Sequence, residues 1–416
     1  MKLNDYEEAL LAGKFGEPRR QAMARIVEIG RFFDAADCVE VAQSHIMADT
    51  EALGEAGVEH LEELAKFPEA DRRVKIPTIT DPRGADLNAY ERINHDTYYV
   101  DLERRAIAAF RALGVMMTDT CINYQTVLPP VLGEHLAMGD TGVVIYSNSV
   151  QGARTNYEGG PAALAAALTG RTARYGFHLD EKRRGTARFI LDETPKSWSE
   201  WGALGGIVGN AMGSYFQVPV IEGVTGTKPA SDDLKHFGAA LASYGSTAMF
   251  HMVGVTPEAP DLATVFDGPP PEPRKVSRAD LQAFMKSYGG GDDSLDIVVF
   301  AAPQLSVIEL EKLAMLMKGR KVHDKVSLLV ATNPENKHAS DRFGFTETIE
   351  NAGGIVLEGV CFYQMHAREL GEANGWTRLM TNSAKLTNII GGYGYQPVLA
   401  DMEQCVDSAV AGRVVR

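Results

Sequence analysis

The stretch LDIVVFAAPQLSVIELEKLAMLM, residues 295–317, decides the fold class. Leu295 to Ala301 is apolar on nearly every residue and reads as a buried strand. Ser306 then starts a helix through Met317, with Glu309 in the capping-box position. The same pattern repeats downstream. Val326 to Ala331 is a second strand, and Ser340 to Ala352 a second helix stopped by Gly353-Gly354. Ile355 to Leu357 is a third strand leading into Gly359-Val360-Cys361. Strand, helix, strand, helix, strand implies right-handed crossovers and a parallel sheet.

Upstream, the run from Thr256 to Ser277 carries DGPPPEP and few apolar residues, so it reads as a linker or surface excursion. The expected organisation is an N-terminal α/β region over residues 1–255, the Pro-rich segment 256–277, and a C-terminal α/β domain over 278–416. Within the first region, strands are predicted at 38–41, 74–80, 115–118, 189–191, 218–221 and 248–255. LGGIVGNAMG, residues 204–213, reads as a tightly packed helix, because its glycines fit neither P-loop nor dinucleotide-binding spacing.

A chain of 416 residues is too long for one simple core. Apolar content of 45 % and charged content of 23 % are those of a soluble globular protein. A net charge of −14 argues against nucleic acid or an anionic membrane as a partner. The N-terminus is too polar for a signal peptide and no apolar run would span a bilayer, so the cytoplasm is the default location. Cys38, Cys121, Cys361 and Cys405 are widely spaced with no Cys-x-x-Cys pair, which points to reduced thiols.

The densest chemistry lies between Asp119 and Gly160. It begins with Cys121 in a polar turn and passes the acidic residues Glu134 and Asp140. Gly142 to Tyr146 reads as a buried strand opening into a loop with Ser147, Asn148, Ser149, Arg154, Thr155 and Asn156. Such a loop after a strand is where open α/β sheets build ligand sites. Arg154 is suited to grip a carboxylate through two parallel hydrogen bonds.

Several motifs resemble the large subunit of the aconitase X family. They are Asn148-Ser149-Val150-Gln151-Gly152-Ala153-Arg154-Thr155-Asn156, Tyr175-Gly176-Phe177-His178-Leu179, His251-Met252-Val253-Gly254-Val255-Thr256-Pro257-Glu258-Ala259, and Asn382-Ser383-Ala384-Lys385. The resemblance covers nearly the whole chain. It implies a multi-domain, aconitase-like α/β architecture with mostly parallel sheets flanked by helices. It also implies dehydration of a small hydroxy acid; known family reactions include those of cis-3-hydroxy-L-proline and phosphomevalonate.

The resemblance further implies an iron centre, mononuclear or iron–sulfur, with Cys121 and Cys361 as metal ligands. A third ligand comes, in family members, from a Gly-Cys-Pro-His turn; here the turn reads Ala301-Ala302-Pro303-Gln304. Alanine offers no donor. Three alternatives stay open: an iron–sulfur cluster short of one family ligand, one metal ion held by two thiolates with His45, a carboxylate or water, or two thiols beside a metal-free site. The early Thr-x-Asn-Pro turn of the family has become Thr80-Asp81-Pro82, placing a carboxyl where an amide stands.

Dehydrating a β-hydroxy acid needs a base for the α-proton, stabilisation of the enolate-like charge, and help for the departing hydroxide. The candidate catalytic residues are His45, Glu134 and Ser149. The candidate substrate-binding residues are Thr80, Asp81, Asn148, Ser149, Arg154, Thr155, Asn156 and Lys385. His251 reads as a hydrogen-bonded core histidine. Family large subunits pair with a small swivelling subunit that supplies a serine proposed as the base, so a separate small subunit is an expected partner. Two alternatives stay open: an isomerase or racemase using the same α-proton, and an inactive binding or regulatory subunit.

Overall fold

In the computed structural model, which describes residues 1–415, three α/β units follow one another along the chain. The first holds β1 (Cys38–Glu40), β2 (Ser44–Ile46), β3 (Thr78–Thr80), β4 (Ala137–Met138) and β5 (Arg171–Ala173). β2 lies between β3 and β4, parallel to both, and β1 pairs antiparallel with β5. The second holds β6 (Ala187–Leu191), β7 (Pro219–Glu222), β8 (His251–Met252) and β9 (Arg274–Val276), parallel in the order β8-β7-β6-β9. The third holds β10 (Ile297–Phe300), β11 (Ser327–Thr332), β12 (Ile355–Glu358), β13 (Arg378–Thr381) and β14 (Gln396–Leu399), parallel in the order β12-β11-β10-β13-β14. The strand order of this last sheet reverses between β10 and β13. In an open parallel sheet the crevice at the strand carboxyl ends beside such a reversal is the ligand position.

The α/β class with mostly parallel sheets is as expected, residues 115–118 form no strand beyond a single bridge from Met116 to Ile79, and four further local readings are corrected. Gly142–Tyr146 is not a strand; it lies in a helix, Thr141–Ser149. Every residue from Gly142 to Ser149 is buried, so no polar face marks a helical rhythm. Asp140 caps this helix, its Oδ1 accepting from the backbone N–H of Gly142 at 3.0 Å and Val143 at 3.3 Å. The second correction concerns the Pro-rich segment, which ends in β9, hydrogen-bonded to β6, so residues 274–276 belong to the second sheet. Only Val276 of that strand is buried, which hid it. Third, the helix expected over 340–352 is two helices, Pro334–Phe343 and Phe345–Asn351, broken at Gly344 with φ +77°. Fourth, the C-terminal sheet has two further strands, β13 and β14; Pro397 in β14 is tolerated because that strand is an edge.

The glycine-rich run lies in a helix, Trp198–Met212, packed against the helix Ser231–Gly245. A methyl group on Gly205 would lie 2.9 Å from the Ala240 Cβ and the Leu241 backbone nitrogen; on Gly209 it would lie 2.8 Å from the Tyr244 Cβ. These contacts are backbone or near-backbone and cannot rotate away. Gly209→Ala should destabilise the protein by roughly 1–3 kcal/mol through overpacking. Gly391→Ala, where the added carbon meets open space, should be near neutral. Thermal denaturation of the two variants side by side checks this.

Several carboxyl groups are buried in the first unit. Glu103 accepts from the Thr50 hydroxyl at 2.9 Å and the Gly84 N–H at 3.0 Å, and burial pushes its pKa up to about 8. Burial likewise raises Glu158 to about 7 and Asp49 to about 7. The folded state therefore holds these protons more tightly than the unfolded chain, whose carboxyls titrate near roughly pH 4. Stability from these groups is full below the unfolded pKa and declines as pH rises from there through about 7 to about 8. Urea midpoints should fall across that window, and Glu103→Gln should flatten part of the decline.

Candidate active site

Strand carboxyl ends from the first and third units face each other, and the buried polar residues concentrate there. From the first unit come Asp49 after β2, Asp81 after β3 and Asp140 after β4; from the third come the Ala302–Gln304 turn after β10, Asn333 after β11, Cys361 after β12 and Lys385 after β13. Cross-bonds seal the contact. Asn333 Nδ2 donates to the Thr120 hydroxyl at 3.0 Å, the Arg83 N–H to the Gly359 carbonyl at 2.7 Å, and the Glu358 N–H to Asp86 at 2.7 Å.

Lys385 is the buried cation of this cluster. It follows the N-cap Ser383, whose Oγ accepts from the Leu386 N–H and donates to the Ala302 carbonyl. Its Nζ stands 3.4 Å from Asp140 Oδ2 and 5.5 Å from the centre of the Tyr363 ring. Burial works against the charge, but the Asp140 carboxylate beside it holds the ammonium above its ordinary pKa. Asp140 thus serves two elements: one oxygen caps the helix at 141–149 and the other meets Lys385.

Asp81 is fully buried. Its Oδ2 accepts from Gln364 Nε2 at 2.8 Å, while Oδ1 has no hydrogen-bond partner. Burial first, then the Asp140 carboxylate and the Cys121 thiol, raise its pKa well above the usual carboxylate range. Its surroundings favour the protonated form, and one oxygen is without a hydrogen-bond partner. His45 Nε2 donates to the Thr120 carbonyl at 2.8 Å and lies 3.7 Å from Asp81 Oδ1; burial lowers its pKa and keeps it neutral. Thr80 is committed to backbone work, its hydroxyl accepting from the Asp119 N–H and donating to the Asp119 carboxylate, both at 3.1 Å.

Cys121 and Cys361 come together from two units. The neighbouring Cys361 thiol first, then burial, pushes the Cys121 thiol well above its ordinary pKa. The donor set around them does not fit a three-thiolate iron–sulfur centre. Ala302 is fully buried and brings no ligand atom, and Gln304 brings an amide. Among the described residues, no three His, Cys, Asp or Glu side chains stand together as a metal-holding group.

The other residues singled out in the sequence lie elsewhere. Arg154 is tied to Asp180 and donates to the His178 carbonyl at 3.2 Å. It borders a separate cavity of about 370 Å³ with Arg183, Arg184 and Glu258. The carboxylate grip expected of it meets a guanidinium already engaged away from the thiols. Asn148 is spent on the backbone of Thr155 and Ala248, each at 2.9 Å, and Ser149 Oγ accepts from the Phe250 N–H at 2.8 Å. Thr155 Oγ1 bonds the Met138 N–H and the Asn156 carbonyl, and Asn156 bonds Tyr175 and Phe177. Glu134 is half-buried and accepts from the Val131 N–H at 3.0 Å, outside the cluster. His251 donates to the Arg183 carbonyl at 2.7 Å. Sequence reading missed Asp140 as the partner of Lys385, and missed Asp49, Tyr363 and Gln364. The Asp-Thr-Gly cap signal at 140–142 was the available clue.

Comparison with known proteins agrees with this geometry. Residues 1–181 match a family model described as the aconitase X first domain, 185–286 the second domain, and 295–411 the third domain. The chain is 34 % identical over 391 residues to a phosphomevalonate dehydratase large subunit of Methanothermobacter thermautotrophicus, covering 94 % of each. It is 31 % identical over 417 residues to a cis-3-hydroxy-L-proline dehydratase of Pseudomonas aeruginosa, covering 99 % of this chain and 70 % of that one. The crystal structure of Thermococcus kodakaraensis aconitase X in its holo-form superposes with a TM-score of 0.86 at 29 % identity, over 98 % of this chain and 100 % of that one. With all three domains matched in order, the chain belongs to the aconitase X family.

Proposed function

We propose that this chain is the large subunit of a dehydratase, a hydro-lyase that removes water from a small hydroxy carboxylic acid. The observation that carries the reading is the buried cluster of Lys385, Asp140 and Asp81 at the facing strand ends. Relatives aligned over 94 % and 99 % of the chain are named as dehydratases of phosphomevalonate and of cis-3-hydroxy-L-proline, which supports the reaction class.

In this reading the substrate carboxylate meets the Lys385 ammonium. Charge that builds on the carboxylate as the α-proton leaves is stabilised by a cation already fixed in a water-poor site. Asp81 Oδ1 gives its proton to the β-hydroxyl as the carbon–oxygen bond breaks, so water departs rather than hydroxide. The α-proton passes to a base on a second chain; relatives named as large subunits support such a small-subunit partner. The acidic surroundings of Asp81, with Asp49 and Asp140 close by, favour a substrate bearing a cationic nitrogen, such as a hydroxyproline-type imino acid, over one bearing a phosphate. Family iron chemistry finds two of its thiols here and lacks the third, and no step above depends on it.

Lys385→Met should lower kcat/KM by roughly 10²–10³. Asp81→Asn should lower kcat by about 10²–10⁴ with little change in KM. Because Asp81 acts only while protonated, the wild-type rate should fall as pH rises through its raised pKa, and Asp81→Asn should lose that descending limb. Ultraviolet detection of an unsaturated product, with solvent-deuterium exchange at the α-carbon, reads these rates; exchange without an unsaturated product would instead mark an isomerase or racemase. Reconstitution with a candidate small subunit should raise turnover strongly, and full activity of the isolated chain as a monomer would remove the partner from the proposal.

A further inference from the structure

Gln304 is fully buried, and every hydrogen-bonding position of its side chain is used. Nε2 donates to the Asp119 carbonyl at 3.0 Å and to the Val360 carbonyl at 3.1 Å. Oε1 accepts from the Cys121 N–H at 3.2 Å and lies 3.9 Å from the Cys121 sulfur. Its backbone N–H reaches the same sulfur at 3.5 Å, and its carbonyl accepts from Lys235 Nζ at 3.3 Å. Lys235 is itself buried between Asp232 and Glu309. One amide side chain therefore fastens the loop of Cys121 and the loop of Cys361 to the turn of Ala302, and a lysine of the second unit holds the backbone carbonyl of the same residue.

This is the connectivity a metal centre would provide if each of the three loops gave it a ligand. Ala302 keeps a left-handed backbone, φ +55°, a conformation that L side chains disfavour. The turn thus retains a demanding shape although its side chain has no donor. A histidine at 304 has two ring nitrogens, and when neutral only one N–H; it cannot make the three side-chain bonds to backbone that glutamine makes. Residues 302 and 304 are consistent as a pair only in a site without a third metal ligand.

We propose that Gln304 is a positioning residue that replaces a metal centre as the cross-link between the two thiol loops, and that Ala302 is what withholds a cluster from this chain. Cys121 and Cys361 then remain two free thiols on loops fastened by Gln304. This goes beyond the dehydratase reading and is tested by metal and thiol chemistry, so its failure is distinct from a failure of that reading.

The full chain, purified anaerobically and then incubated with ferrous iron and sulfide, should carry well below one iron per chain and show no visible absorption band. Denatured, it should titrate all four free cysteines. The double variant Ala302→Cys with Gln304→His should gain stoichiometric iron and a visible band under the same treatment. Gln304→Leu, which keeps the volume but removes the bonds, should label at Cys121 with a maleimide roughly tenfold or more faster than wild type in the folded protein, because local opening controls the reactivity of a buried thiol. Stoichiometric iron with a visible band in the wild type would overturn the proposal. So would a double variant that is folded by circular dichroism yet takes up no iron, or a Gln304→Leu protein that labels at the wild-type rate. Should the double variant not fold, the wild-type iron content and the labelling comparison still decide.

Discussion

The ion pair of Lys385 with Asp140 is the constraint on which the site rests. Both side chains are almost wholly buried, and two charges taken out of water cost more than their attraction returns unless further bonds satisfy them. Asp140 meets that condition by capping the helix at 141–149, while Lys385 adds to the pair only the Tyr363 ring, 5.5 Å from its Nζ. The pair therefore requires the first and third units to be docked, since neither charge has its partner within its own unit. Docking also buries the cluster, which suits chemistry that must exclude water.

The docking has a common geometric cause. Both units present the carboxyl ends of parallel strands, and a parallel sheet sends its loops, with their side chains, to one edge. Placing two such edges face to face brings Asp81 and Asp140 against Gln364 and Lys385, and Cys121 against Cys361 and Gln304. The second unit contributes from outside. Its helix Ser231–Gly245 delivers Lys235 to the Gln304 carbonyl, so the packing of two helices against each other is linked to the thiol loops through one lysine.

Two substitutions relative to the family pattern make chemical sense together. Ala302 removes one ligand of the family's metal centre; in the proposed mechanism Asp81 brings a buried carboxyl whose pKa is raised. An acid that donates a proton and a metal that accepts a lone pair serve the same leaving group by different means. Gln304 then supplies the bonds that keep the loops in place.

Residue order alone was enough to identify the family, the α/β class and the strands with unbroken apolar runs, such as β10 and β11, because buried parallel strands need no partner to be recognised. It put Cys121, Cys361, Asp81 and Lys385, which the fold brings together, among the candidates. It did not distinguish a buried helix from a buried strand at 142–146, since both show the same apolar run. It also led to Arg154 and the Asn148–Asn156 loop, because polar side chains look the same whether they await a substrate or satisfy backbone groups. That distinction emerges only in the folded chain. Burial obliges Asn148, Ser149, Thr155 and Asn156 to spend their hydrogen bonds on the protein, whereas Asp81 Oδ1 is left with none. Which groups remain available for chemistry depends on which neighbours the fold supplies, and those neighbours lie far away along the chain.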